Sequence, residues 1–337
     1  MTTKLRLVVL LRNTFLSGAL AFTALTAQAS PAAADENICG HQVGGDILAK
    51  YQSIGGQGGP LGCPTSDELP TPDGRGRYNT FDGGSIYWTA ATGAHPVWGA
   101  IRDKWAALGW EAGKLGYPAG DELTNPDGQG KRQQFENGTM YWHPTLSNGA
   151  HAVWGRIGEL WGEYGWEGGE FGYPTSDEYA DADVKGVRQN FSARHISLFW
   201  SPGMGGTNGT CIGECVGYEG TTNVPWVKQT KVWKALHNGD IDVFVYPTAA
   251  GFDDADTNYD TLWNQAWDAV PYPKGLSASQ GSSMYKQLAC HSRYAYEWPD
   301  GSHVTGDSWD LESWRPDVSW DKALNPLSVV FHQCNWT

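Results

Sequence analysis

The chain is short of positive charge. Lys and Arg number 23 against 37 Asp and Glu, the formal charge is −14, and no Lys/Arg-rich run occurs. That excludes a general nucleic-acid binder, which needs a basic face against phosphates. It also excludes electrostatic docking onto anionic lipid. Beyond the first 34 residues no apolar run approaches a membrane span. No nucleophile elbow, phosphate loop or paired zinc-ligand motif is present. What is abundant is glycine, at 44 residues, and tryptophan, at 18, within a 40% apolar composition. That apolar share sustains packed cores. An indole has an apolar face and a polar N–H, which suits surfaces that grip amphipathic ligands such as sugars.

Residues 1–34 read as a secretory signal: Lys4, Arg6 and Arg12, then an apolar stretch from Leu16 to Ala27, then small-residue cleavage sites. The expected mature chain is exported and more acidic still. All six cysteines (Cys39, Cys63, Cys211, Cys215, Cys290, Cys334) lie beyond the leader. An even count in an exported chain favours disulfides. Among the possible pairings, sequence neighbourhood favours Cys39–Cys63, Cys211–Cys215 and Cys290–Cys334. A zinc site is the alternative, weakened because Cys211-x3-Cys215 has no second close Cys or His pair. No cofactor is implied.

Three segments align: Leu61-Gly62-Cys63-Pro64, Leu115-Gly116-Tyr117-Pro118 and Phe171-Gly172-Tyr173-Pro174, each running on to an Asp-Glu pair at 67–68, 121–122 or 177–178. The steps are 54 and 56 residues. Upstream, His41, His95 and His151 recur, the last two in His-x-Val-Trp-Gly; downstream come Tyr87-Trp88, Tyr141-Trp142 and Phe199-Trp200. Ile101 and Trp105, and Ile157 and Trp161, keep helical spacing, and Gly109 and Gly165 end those helices. The Pro of each turn forbids a continued helix. Asn137-Gly138 marks a hairpin turn. Each unit therefore reads as short helix, tight turn and β-hairpin. A unit of that size must pack on its neighbours to bury its apolar face.

These motifs resemble the LGFP repeat, a module of exported actinobacterial proteins, over residues 41–201. The resemblance implies attachment to the cell envelope through wall polysaccharide. Cys63 replaces the motif aromatic, and Ala193-Arg194-His195 stands where Asn-Gly belongs in the third unit, so an irregular hairpin is expected there.

The candidate carbohydrate-binding residues are Tyr87, Trp88, Tyr141, Trp142, Asp67, Asp121, His95 and His151. Adjacent rings on a strand point to opposite faces. One ring of each pair enters the core and the other is free to stack on a sugar, or both are buried between units. The Asp side chains accept sugar hydroxyls or cap backbone N–H groups of the turn. The histidines, at helix entrances, cap or pack more readily than they bind ligand, and single histidines so far apart are not a metal set. The acidic charge disfavours phosphate-rich wall polymers and favours neutral glycan.

Residues 202–229 are glycine-rich and read as a linker, and 230–337 as a second domain. Ile241–Pro247 alternates like a strand, and Gln287–Tyr296 and Ser328–Cys334 are expected to be strands too. Tyr259, Leu262, Trp263 and Ala266 form a helical face capped near Thr257 or Asn258, so Asp254-x-Asp256-x-Asn258 is a capping loop rather than a calcium loop. Cys290-His291, Trp309-Asp310-Leu311-Glu312, Arg315-Pro316-Asp317 and Cys334-Asn335 resemble an actinobacterial domain of unknown function, in which Asn is usual at the place of Asp310. His291, Glu312, Arg315 and Asp317 are weak catalytic candidates. They suit a hydrolase's carboxylate pair, a nuclease-like His/Arg pair, or a buried ion-pair network, which is the favoured reading.

The expected fold class is α+β: tandem helix–turn–β-hairpin units (35–201), then a small disulfide-stapled α+β domain. The expected function is a secreted, wall-associated binding protein, with wall polysaccharide as partner of the repeats and a protein cargo or partner for the C-terminal domain, whose role is unknown. It is not expected to be an enzyme. The alternative is a secreted, wall-targeted hydrolase or toxin with the C-terminal domain as effector.

Overall fold

The computed structural model describes residues 35–203, 213–327 and 334–336. The leader, Cys211 and most of the expected strand Ser328–Cys334 lie outside the described residues. The first unit holds β1 (Glu36–Ile38), β2 (His41–Val43), α1 (Gly45–Ser53), β3 (Leu69–Pro70), β4 (Gly76–Phe81) and β5 (Gly84–Thr89). The second holds β6 (Gly93–Trp98), α2 (Gly99–Ala107), β7 (Leu123–Thr124), β8 (Lys131–Phe135) and β9 (Gly138–His143). The third holds β10 (Gly149–Val153), α3 (Gly155–Glu163), β11 (Tyr179–Asp181), β12 (Gly186–Asn190) and β13 (Ser197–Ser201). Each hairpin is widened by a short strand on one side, and the first two also by the entry strand of the next unit, giving antiparallel sheets β3-β4-β5-β6 and β7-β8-β9-β10. His95 and His151 therefore sit on strands β6 and β10, not at helix entrances.

Consecutive units interlock through the motif residues. The Tyr117 hydroxyl donates to Asp73 Oδ1 at 2.6 Å and meets Thr71 Oγ1 at 2.7 Å, gripping the Pro-Asp-Gly loop of the unit before it. Tyr173 repeats this on Asn125 and Asp127. In the first unit Cys63 takes the place of that tyrosine and is bonded to Cys39. The motif glycine is required by geometry. Gly116 and Gly172 have φ of +69° and +70°, and a Cβ on either would lie 2.4 Å from Glu136 Oε2 or Ser192 Oγ.

The third hairpin is irregular, with Arg194 and His195 in the left-handed region. Its sheet does not end at Ser201. It runs on as β11-β12-β13-β14-β15-β16-β17, with β14 (Cys215–Thr221), β15 (Val227–Ala235), β16 (Ile241–Pro247) and β17 (Trp309–Glu312). The segment expected as a linker thus carries β14 and the start of β15. Two of its glycines, Gly217 and Gly220, serve close approach: a Cβ on Gly217 would lie 2.5 Å from the Phe199 ring, and one on Gly220 would lie 2.3 Å from the Ala269 carbonyl oxygen. One hydrophobic core accordingly joins Trp161, Phe171 and Phe191 to Tyr218, Val243, Leu262 and Trp309.

Helices α4 (Ala249–Asp254), α5 (Tyr259–Ala266), α6 (Ala278–Arg293) and α7 (Trp320–Ala323) complete the fold. Asn258 caps α5 as expected, accepting from Thr261 N–H at 3.0 Å. Residues 287–293 belong to helix α6, not to a strand. A capping box of Ser277 and Gln280 starts that helix, and Met284 and Leu288, one turn apart, enter the core. Cys290 is bonded to Cys334, and no described cysteine is free. Among the described residues no helix is long and apolar enough to cross a membrane.

Candidate functional site

The recurring acids serve the joints between elements. Asp121 receives Lys50 Nζ at 2.9 Å and His95 Nδ1 at 2.7 Å. Burial pushes its carboxyl up, but the Lys50 and His95 hydrogen bonds bring it below the ordinary Asp value. Asp177 repeats the arrangement with Lys104 and with His151 at 3.0 Å. Asp67, which is exposed, accepts Gln42 N–H at 2.9 Å with His41 at 3.4 Å. The neighbouring Glu is held by the Trp of His-x-Val-Trp: Trp154 Nε1 donates to Glu178 at 2.6 Å, and Trp98 does so to Glu122. The co-recurrence of Asp-Glu with His-x-Val-Trp is thereby a set of structural contacts. The aromatic pairs split as strand alternation requires. Tyr87 and Tyr141 are buried. Trp88 and Trp142 are half-buried against repeat cores, with Trp88 Nε1 donating to Asp46 at 2.8 Å.

An exposed indole lies elsewhere, at the rim of a groove where the hairpin of the second unit meets β10 and α3 of the third. A groove of about 590 Å³ is lined there by Thr139 and Tyr141 from β9, Trp154, and Gly158, Glu159, Trp161, Gly162 and Trp166. Trp161 stands edge-on to Tyr141, with ring centroids 4.7 Å apart. Trp166 is 55% exposed. Glu159, the one charged lining residue, is paired with Arg156 at 2.8 Å. Sequence reasoning found Tyr141 and missed Trp154, Trp161 and Trp166. The recurrence of Trp110 at Trp166, on the 56-residue step, was the available signal.

In the C-terminal part, His291 and Glu312 are buried, Arg315 bonds Glu312, and Asn335 Nδ2 donates to Asp310 at 2.6 Å. His291 Nε2 lies 3.2 Å from the Asp310 carbonyl oxygen. The Cys-His, Trp-Asp-Leu-Glu and Cys-Asn motifs therefore converge. Asp317 does not join them, being turned to Lys286 Nζ at 2.6 Å. A residue that sequence reading passed over does join: Asp242, paired in register with Glu312 across β16 and β17, is 4% exposed and lies beside the Asp310 and Glu312 carboxyls. Burial, with Asp310 and Glu312 adding like charge, holds its carboxyl well above the ordinary Asp range. Glu312 is also pushed up by burial, which outweighs the Arg315 contact. Among the described residues, no three His, Cys, Asp or Glu side chains gather as a metal site.

The family model of the LGFP repeat matches residues 61–113 and 115–169. The chain carries LGFP repeats. LGFP repeats are associated with cell-envelope proteins. Residues 227–335 match a protein family of unknown function, DUF2599, which assigns no activity. No curated protein matches the chain. Every residue lining the groove falls within the second LGFP repeat, 115–169.

Proposed function

We propose that the protein attaches to envelope polysaccharide through the aromatic groove of its second LGFP repeat, and that it acts outside the cell. The observation that carries this reading is Trp166, an exposed indole beside Trp154, Trp161 and Tyr141 in one groove. Flat apolar rings stack on sugar rings, while the Thr139 hydroxyl and the Glu159 carboxylate supply partners for sugar hydroxyls. The formal charge of −14 repels anionic polymer, so the ligand is neutral glycan. Two disulfides suit an oxidising compartment. Of the Tyr141-Trp142 pair only Tyr141 lines the groove, so this reading puts the platform on Trp166.

Co-sedimentation of the full chain with purified wall polysaccharide tests this. Trp166→Ala should weaken binding roughly ten- to a hundredfold, equivalent to about 1–3 kcal/mol, as loss of a central aromatic anchor does. Its melting temperature should stay close to that of the parent, because the ring is mostly outside the core. Binding should persist in high salt, since stacking on a neutral sugar is not screened. Undiminished binding by Trp166→Ala, or binding abolished by salt, would sink the reading.

A further inference from the structure

The same groove exists in outline at the junction of the first and second units. The 54- and 56-residue steps carry Thr139, Tyr141, Trp154, Glu159, Trp161 and Trp166 back onto Ser85, Tyr87, Trp98, Asp103, Trp105 and Trp110. Thr139 and Glu159 answer to the slightly smaller Ser85 and Asp103, while the two bare glycines answer to residues with side chains: Gly158 to Arg102 and Gly162 to Ala106. Their effects are visible. Arg102 reaches across the first junction, its Nε donating to Ser85 Oγ at 3.1 Å on the opposite hairpin. Its guanidinium carbon lies 5.2 Å from the Trp110 ring centroid. Trp110 is half-buried, 5.2 Å from Trp105 and near-parallel to Tyr87 at 6.4 Å. At the second junction the residue equivalent to Arg102 is Gly158, which has no side chain. Trp166 lies back against the bare backbone of Gly162, where a Cβ would come within 3.0 Å of its Nε1. It makes no ring contact with Tyr141 or Trp161.

We infer that the first junction is a self-plugged copy of the glycan site, with the planar Arg102 guanidinium lying on Trp110 where a sugar ring lies on Trp166, so that each chain offers one working site for neutral glycan rather than one per repeat. This rests on the reading of the second groove as the glycan site. A guanidinium suits the part: it is flat, stacks on an indole, and donates to the hydroxyl that a sugar would otherwise meet. The two glycines open the working copy, one by leaving the floor empty and the other by letting the indole fold back.

Calorimetric titration of the full chain with short, phosphate-free wall oligosaccharides tests the inference. The unaltered protein should bind one equivalent. Gly158→Arg should plug the groove and weaken binding at least tenfold. The fold should tolerate it, because a Cβ at Gly158 meets nothing nearer than Val153 Cγ1 at 3.5 Å. The double variant Arg102→Gly/Ala106→Gly should bind two equivalents, and acrylamide should quench its tryptophan fluorescence more strongly as Trp110 is uncovered. Two equivalents in the unaltered chain overturn the plug. So does an unchanged one-site titration of Arg102→Gly/Ala106→Gly with unchanged quenching. Either result leaves the second groove standing as long as Trp166→Ala weakens binding at least tenfold. Absence of binding by the unaltered protein instead overturns the glycan reading, and the plug with it.

Discussion

A chain ended after Ser201 should lose its third repeat unit, and the groove with it. Strand β13 would become an edge, its hydrogen bonds to β14 gone from Ser197↔Glu219 to Ser201↔Cys215. The Tyr164 hydroxyl would lose Tyr218, its partner at 2.9 Å. Tyr164 and Phe171, whose rings pack on Tyr218, and Leu198, paired with it in register, would lose that cover. Each large side chain so exposed forfeits about 1.5–3 kcal/mol of burial, and a few such losses exceed the roughly 5–15 kcal/mol that holds a typical domain together. The first and second units keep their own clusters around Ile86 and Trp105, so they should survive. Limited proteolysis of the shortened chain should leave a fragment ending just after β10, the strand that completes the second unit's sheet. Resistance through to residue 201, with glycan binding intact, would show that the repeats fold without the C-terminal sheet.

Arg188→Ala should destabilise the joint between the third unit and that sheet by about 3–5 kcal/mol, the usual effect of stripping one partner from a buried ion pair. The guanidinium is 8% exposed, bonds Asp181, and reaches Glu219 Oε1 at 2.6 Å across two strands. Burial pushes the Asp181 carboxyl up, but hydrogen bonds from Arg188 and from the Asp183 and Val184 N–H groups bring it below its ordinary value. A carboxyl depressed in the folded state contributes stability above its unfolded pKa and loses it as pH falls through the folded value. The gap between parent and variant should therefore be widest near neutral pH and should narrow as pH falls below about 4. Urea unfolding at pH 7 and at about pH 2 measures both. An equal gap at the two values would mean that packing over Phe199, not charge, holds the joint.

How much of this was legible follows from the kind of signal each element carries. The turn motif was legible because Gly116 and Pro118 are imposed by local backbone geometry, and local geometry recurs in sequence. The role of Asp121 was not, because its partners Lys50 and His95 come from other elements, and a sequence shows recurrence without contact. Glycine misled where its cause was tertiary: Gly217 and Gly220 read as linker and sit in a strand against Phe199 and Ala269. Helix α6 was mistaken for a strand because Leu288-Ala289-Cys290 carries no period, although Ser277 and Gln280 announced a helix start. Asp242 read as one more member of an alternating strand, and only the register with Glu312 gives it meaning. The groove was the least legible feature, since Gly158 and Gly162 matter only once a hairpin from another unit stands opposite them.

The most direct test is to follow the tryptophan indole N–H resonances of the full chain as wall oligosaccharide is added, with Trp166→Ala and Trp142→Ala assigning their own signals by loss. The account predicts saturable shifts of Trp166 and Trp154 while Trp88 and Trp142 stay still. Shifts at Trp88 and Trp142 with Trp166 unmoved would place the ligand on the hairpin pairs and contradict it.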